Sequence, residues 1–184
     1  METLTTGLVV WHFAGATLRD GRPLPKAGDT LKHEGEVVPC ESGLHGSVRA
    51  LDALQYAPGH MVALCELRGE VVPHDTDKHA ASERHYLTDY VDASRELHLF
   101  ACWCATKALD REEAAGRKVD PRSRRAIEVK LLWLDGKATD EDLDAALAAA
   151  WDAAALDADA WDAAWDEHNA ELERRLHKLL EAAR

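Results

Sequence analysis

The sequence predicts an α+β protein: a small mixed sheet domain at the N-terminus, then a helical region that ends in a long amphipathic helix. Three observations carry this. Nine of the eleven glycines and five of the six prolines fall before residue 93, so turns concentrate in the first half. The second half is rich in Ala, Leu and Trp, and its apolar residues recur at helical spacing. The change of pattern gives two parts, 1–93 as a domain of ligand-binding type and 94–184 as the helical region.

Taking the elements in order, Gly7 to Phe13 is a β-branched and aromatic run between Gly7 and Gly15, expected to be a buried strand. Residues 15–35 read as a long loop with room for a short hairpin. Glu36 to Val38 is a brief strand stopped by Pro39, and Ser47 is the expected N-cap of a helix burying Val48, Leu51, Leu54 and Tyr56. Ala57-Pro58-Gly59 ends that helix. Met61 to Leu67 and Glu70 to Val72 are expected strands around Gly69, and Arg84 to Val91 is another.

In the second half, Leu97, Phe100, Ala101, Cys104 and Ala108 give a helix over about 94–109. Asp120 as N-cap, Pro121 at the first helical position and Gly136 as terminator bracket a second helix. Thr139 with Asp142 imitates a capping box and starts the third. From about residue 140, Leu143, Leu147, Trp151, Ala154, Ala158, Trp161, Trp165, Leu172, Leu176 and Leu179 form one apolar stripe. A straight helix over 140–183 would reach about 65 Å, against about 40 Å for a compact chain of this size. Either it breaks near residues 156–159 or it projects and pairs with another chain; the three- and four-residue spacing of the stripe suits helix-on-helix packing, so a homodimer through this helix is expected, with an intramolecular hairpin as the alternative.

Composition limits function. With 22 Lys+Arg against 34 Asp+Glu the net charge is −12, which disfavours tracking of a nucleic-acid backbone or of an anionic membrane. No long apolar run or leader pattern is present, so the expected location is the cytoplasm, with the four cysteines reduced. The twelve acids between Thr139 and Glu173, with no Lys or Arg among them, read first as a solvated helix face. The phosphate-loop, dinucleotide-fingerprint, nucleophile-elbow and zincin motifs are all absent. Cys102 and Cys104 lie about 200° apart on a helix and cannot converge on one ion, and Cys40 with His45 could chelate but has no second spaced pair beside it, so no metal is expected; nor is a cofactor.

The segment Pro39-Cys-Glu-Ser-Gly-Leu-His-Gly-Ser47 is the best candidate site. Gly43 and Gly46 bracket Leu44-His45 just before a predicted helix N-terminus, where exposed N–H groups favour an anion. His45 would orient the ligand or act as acid or base, with Glu41 as a carboxylate nearby. His12 is the second candidate, because an imidazole inside an apolar strand needs a partner. The plain alternative is that both are satisfied structural histidines.

Six blocks in order, Trp11-His12-Phe13, Leu18-Arg-Asp-Gly-Arg-Pro-Leu-Pro25, Cys40-Glu-Ser-Gly-Leu-His45, Asp52-Ala-Leu-Gln-Tyr-Ala-Pro-Gly59, Gly69-Glu-Val71 and Asp77-Lys78, resemble an uncharacterised domain family of phage and prophage proteins. In that family an Ala/Trp-rich helical tail often follows. Residues 97–150 resemble, more loosely, a helical region of bacterial immunity proteins. These resemblances imply a phage-type accessory protein that modulates host defence. The order of elements is also similar to the core of ADP-ribosyltransferases, which hold NAD with a histidine on the first strand and a tyrosine near the second; His12 and Tyr56 are the matching positions, and no later catalytic Glu is identifiable.

Three readings follow. The first is a binding protein whose N-terminal cleft, formed by His12, Arg19, Glu41, His45, Tyr56 and Lys78, sequesters a small nucleotide-like ligand, NAD-derived or cyclic. The second is an ADP-ribosyltransferase-like enzyme using NAD in the same cleft. In the third, the acidic Trp-bearing helix inhibits a host protein.

Overall fold

A computed structural model describes residues 7–151 and 164–184 and has the α+β architecture. Its elements are β1 (Leu8–Ala14), β2 (Thr30–Lys32), β3 (Leu44–Gly46), α1 (Ala50–Gln55), β4 (Met61–His74), β5 (Lys78–Tyr86), β6 (Val91–Asp92), α2 (Ser94–Ala114), α3 (Pro121–Leu134), α4 (Asp140–Trp151) and α5 (Trp165–Ala182). They form two compact units, Met1–Ser94 with Asn169–Arg184, and Arg95–His168. No helix among the described residues is long and apolar enough to cross a membrane.

The first unit is built on a six-stranded antiparallel sheet with the path β1-β4-β5-β2; β3 also pairs with β5, and β6 with β4. β4 and β5 form the central hairpin. Their register shifts between Arg68 and Val71, where Gly69 adopts φ 73°. Only a residue without a Cβ fits there, since a Cβ would stand 2.2 Å from Ser82 Oγ, the atom that accepts a hydrogen bond from Glu70 N at 2.9 Å. The two strands expected around Gly69 are therefore one bulged strand.

Other expectations need correction. Residues 36–38 form no strand, although Val37 is buried, and the loop expected over 15–35 contains β2, which pairs with β5. The expected strand 84–91 instead runs from Lys78 to Tyr86, because its pairing partner is the far end of β4. Ser47 is no N-cap: it bridges to Trp11, Trp11 N donating to Ser47 O at 2.8 Å, and α1 starts after Arg49. Val48 and Tyr56, expected in the core, are 47% and 42% exposed because they flank the short helix that results.

One face of the sheet buries Val10, Ala63, Cys65, Leu67, Ala81 and Tyr86 as a cluster, with Leu8, Leu31 and Tyr90 packed on it. The alternation along β1, β4 and β5 puts Val10, Cys65 and Tyr86 in register, so a period-two pattern becomes a continuous apolar layer. The C-terminal part of α5 buries Leu172, Leu176 and Leu180 within this unit, each contributing roughly 1.5–3 kcal/mol. Trp11 meets His177 edge-on, with ring centroids 4.8 Å apart.

In the second unit α3 begins as its sequence dictates: Asp120 caps it, accepting from Arg122 N at 2.9 Å, with Pro121 following. The ion pair with Arg122 holds the Asp120 carboxyl down at about 2. α4 opens with the reciprocal box, Thr139 N donating to Asp142 Oδ2 at 3.0 Å and Asp142 N to Thr139 Oγ1 at 3.1 Å. Cys102 and Cys104 are both buried on α2, which extends to Ala114 rather than ending near 109. The expected break at 156–159, and the stripe positions Ala154, Ala158 and Trp161, lie outside the described residues.

Candidate functional site

The first unit contains a cavity of about 350 Å³. β1 contributes Trp11, His12, Phe13 and Ala14 to its wall; the segment after β1 adds Leu18, Arg19, Asp20 and Arg22. Cys40, Gly43 and all of β3 close another side, Ala53 and Tyr56 come from α1 and its end, and β5 supplies Lys78 and Arg84. Of the six residues expected at a site, His12, Arg19, His45, Tyr56 and Lys78 line this one cavity. Glu41 is exposed and is not part of the wall.

The local geometry explains how β3 reaches the cavity. A Cβ on Gly46 would lie 2.5 Å from Val10 Cγ2, so glycine lets this strand cross β1 closely. The close approach that glycine permits here is made to Val10. Upstream, Cys40 sits at φ 71°, a left-handed conformation rare outside glycine. Its N–H donates to His45 Nε2 at 3.1 Å. His45 therefore fastens the loop before β3, and as a neutral ring accepting at Nε2 it carries its proton on Nδ1. The segment expected to be a turn before a helix is a loop feeding a strand.

The helix N-terminus expected to receive an anion is closed. Leu51 N donates to Asn169 Oδ1 at 3.0 Å and Ala50 N to Glu173 Oε1 at 3.1 Å, so α5 supplies the cap that Arg49 does not.

The residue that sequence reasoning missed is Arg84. It is 4% exposed, lies opposite Leu67 on β4 and Leu31 on β2, and reaches the cavity wall. Its Nε donates to Tyr86 Oη at 3.0 Å and its Nη1 to His45 O at 2.8 Å. Among the described residues it has no carboxylate partner, which is unusual for a buried guanidinium. One sign of it was available: in Ser82 to Tyr86 the inward parity shared with Tyr86 falls on an arginine.

Charge in the cavity is one-sided. Its wall carries Arg19, Arg22, Lys78 and Arg84 against the single carboxylate of Asp20, which Arg22 pairs at 2.6 Å. Arg19 Nη2 donates to Tyr56 O at 3.1 Å, and Lys78 Nζ stands 4.1 Å from the Tyr56 ring centroid. Tyr56 Oη donates to Asp77 Oδ2 at 2.5 Å, a bond that raises the phenol above its ordinary range.

His12 has the partner its position requires: Nδ1 and Tyr90 Oη are 2.5 Å apart. Burial first, then the charges of Arg84 and Arg19, push its imidazole well below the usual histidine range. Burial and then Lys78 and Arg84 lower His45 in the same direction. Burial raises Tyr90 and Tyr86, so both remain phenols. The cavity is thus a set of fixed cations and neutral polar groups, suited to holding an anion. Its one acid is occupied by an ion pair.

No curated protein and no solved structure matches the chain. The segment 13–97, which holds every wall residue except Trp11 and His12, matches the model of a family described as a domain of unknown function, DUF7666.

Proposed function

We propose that the cavity binds a small, phosphorylated, nucleotide-like ligand and that the protein works by sequestering it. The observation that carries this reading is Arg84, buried with no carboxylate partner among the described residues beside a cavity that also presents Arg19 and Lys78. A chain of net charge −12 that gathers cations around one hollow creates a local positive field, which an anion would complete. The six sequence blocks supply the rest of the proposal: a phage-type accessory protein, acting in the host cytoplasm to modulate defence by withdrawing a nucleotide signal.

Sequestration is favoured over ADP-ribosyl transfer by the state of the acids. Asp20 is paired with Arg22, Glu41 is outside the wall, and Asp77, which accepts the Tyr56 hydroxyl, is outside it too, so no carboxylate of the wall is free to act on a ribosyl group. A contact with a host protein or a second copy would fall to the part of the apolar stripe still open, where Leu147 on α4 is 49% exposed.

Calorimetric titration with nucleoside phosphates, NAD-derived nucleotides and cyclic nucleotides tests the reading. Saturable binding of at least one, with the ligand recovered unchanged, is expected. Flat titrations throughout would overturn it, and recovery of cleaved NAD would establish the enzymatic alternative.

A further inference from the structure

Resting on that binding reading, we infer that the ligand is a compact phosphate monoester held as its dianion, in preference to a phosphodiester. Charge balance is the first argument. Arg19 and Arg84 form no ion pair among the described residues, Lys78 is balanced only by the nearby Asp77 carboxylate that also takes the Tyr56 hydroxyl, and the wall's carboxylate is already paired with Arg22. A diester phosphate brings one negative charge, whereas a terminal phosphate near neutral pH brings almost two. The second charge is what a buried guanidinium lacking an acid can use, because charge-assisted hydrogen bonds in a partly desolvated site are the strong ones.

Shape gives the second argument. A terminal phosphate presents three oxygens on one side, matching donors that arrive from β5 and from the segment after β1. A diester phosphate, open or cyclic, has two of its oxygens tied up in ester bonds and leaves only two to accept from these donors. At about 350 Å³ the cavity stands near the small end of ligand sites, which span roughly 300–1,000 Å³, and suits one nucleoside or sugar rather than two. His12 lines the cavity as a neutral ring fixed by Tyr90 at Nδ1.

The test compares adenosine monophosphate with its cyclic phosphodiester and with inorganic phosphate, by equilibrium titration of the full chain at low and high salt. The monoester is expected to bind on the order of tenfold more tightly than the diester, with inorganic phosphate competing and salt weakening it. Lys78→Gln and Arg19→Gln change side chains outside the core and should each weaken the monoester about three- to tenfold while narrowing its advantage over the diester. Arg84→Gln should abolish the preference; should it fail to fold, the other two variants decide. Equal or tighter binding of the diester overturns this inference and leaves the cavity reading standing. Binding of the monoester undiminished in both Lys78→Gln and Arg19→Gln also overturns it. Absence of binding by all three probes and by NAD overturns both.

Discussion

Asn169→Ala removes one acceptor from the N-terminus of α1, a helix whose own N-cap residue, Arg49, makes no side-chain cap. The Leu51 amide is buried, and Asn169 is itself 8% exposed, so water cannot easily replace the lost oxygen. A buried donor left without a partner costs about 1–3 kcal/mol, and loss of a capping side chain about 0.5–2 kcal/mol. Because Glu173 still accepts from Ala50 N at 3.1 Å, the expected loss is toward the middle of those ranges, about 1.5 kcal/mol. Urea unfolding should show a lower midpoint at unchanged slope, and amide hydrogen exchange should show Leu51 losing protection. Asn169→Asp keeps an acceptor and should keep the protection. A change below about 0.5 kcal/mol, with Leu51 protection intact, would refute the claim that α5 caps α1.

Three further outcomes are expected. Gly46→Ala should destabilise by about 1–3 kcal/mol in thermal unfolding, because the new methyl would stand 2.5 Å from Val10 Cγ2; a neutral substitution would mean that β3 does not cross β1 as closely as described. Stability should fall on acidification: the folded His12 and His45 are held below the ordinary value of about 6.5, so their contribution is complete above that pH and is lost as pH falls toward their folded values. A midpoint that rises in that window would contradict this. An aromatic disulfide reagent should find one fast thiol, the exposed Cys40, while Cys65, pushed up to about 12 by burial, and the buried Cys102 and Cys104 react only on unfolding; fast labelling that survives Cys40→Ser would count against the burial described.

The helical part was the more legible because its signals are local. Asp120-Pro121, Gly136 and the Thr139/Asp142 box fix their ends through neighbours in sequence, and all three operate. The sheet was less legible because pairing is remote. Nothing near Gly69 tells that β4 continues past its bulge, and Thr30–Lys32 becomes a strand only because β5 offers an edge. Ser47 was misread for the same reason, since its backbone is taken by Trp11 and the real cap arrives from Asn169 and Glu173, more than a hundred residues away. At the site, ligand-type side chains in glycine-bracketed or strand positions pointed to His12 and His45, and Arg19, Tyr56 and Lys78 join them on one wall. Arg84 escaped because its importance comes from burial and from lacking an acid, which are properties of packing.

The central claim is that a cationic hollow centred on Arg84 receives a phosphorylated ligand. Phosphorus NMR of adenosine monophosphate titrated with the intact protein tests it most directly. The account predicts a phosphate resonance that shifts or broadens with wild type, less with Lys78→Gln, and least with folded Arg84→Gln. A resonance unmoved by wild type, or moved equally by all three, would contradict it.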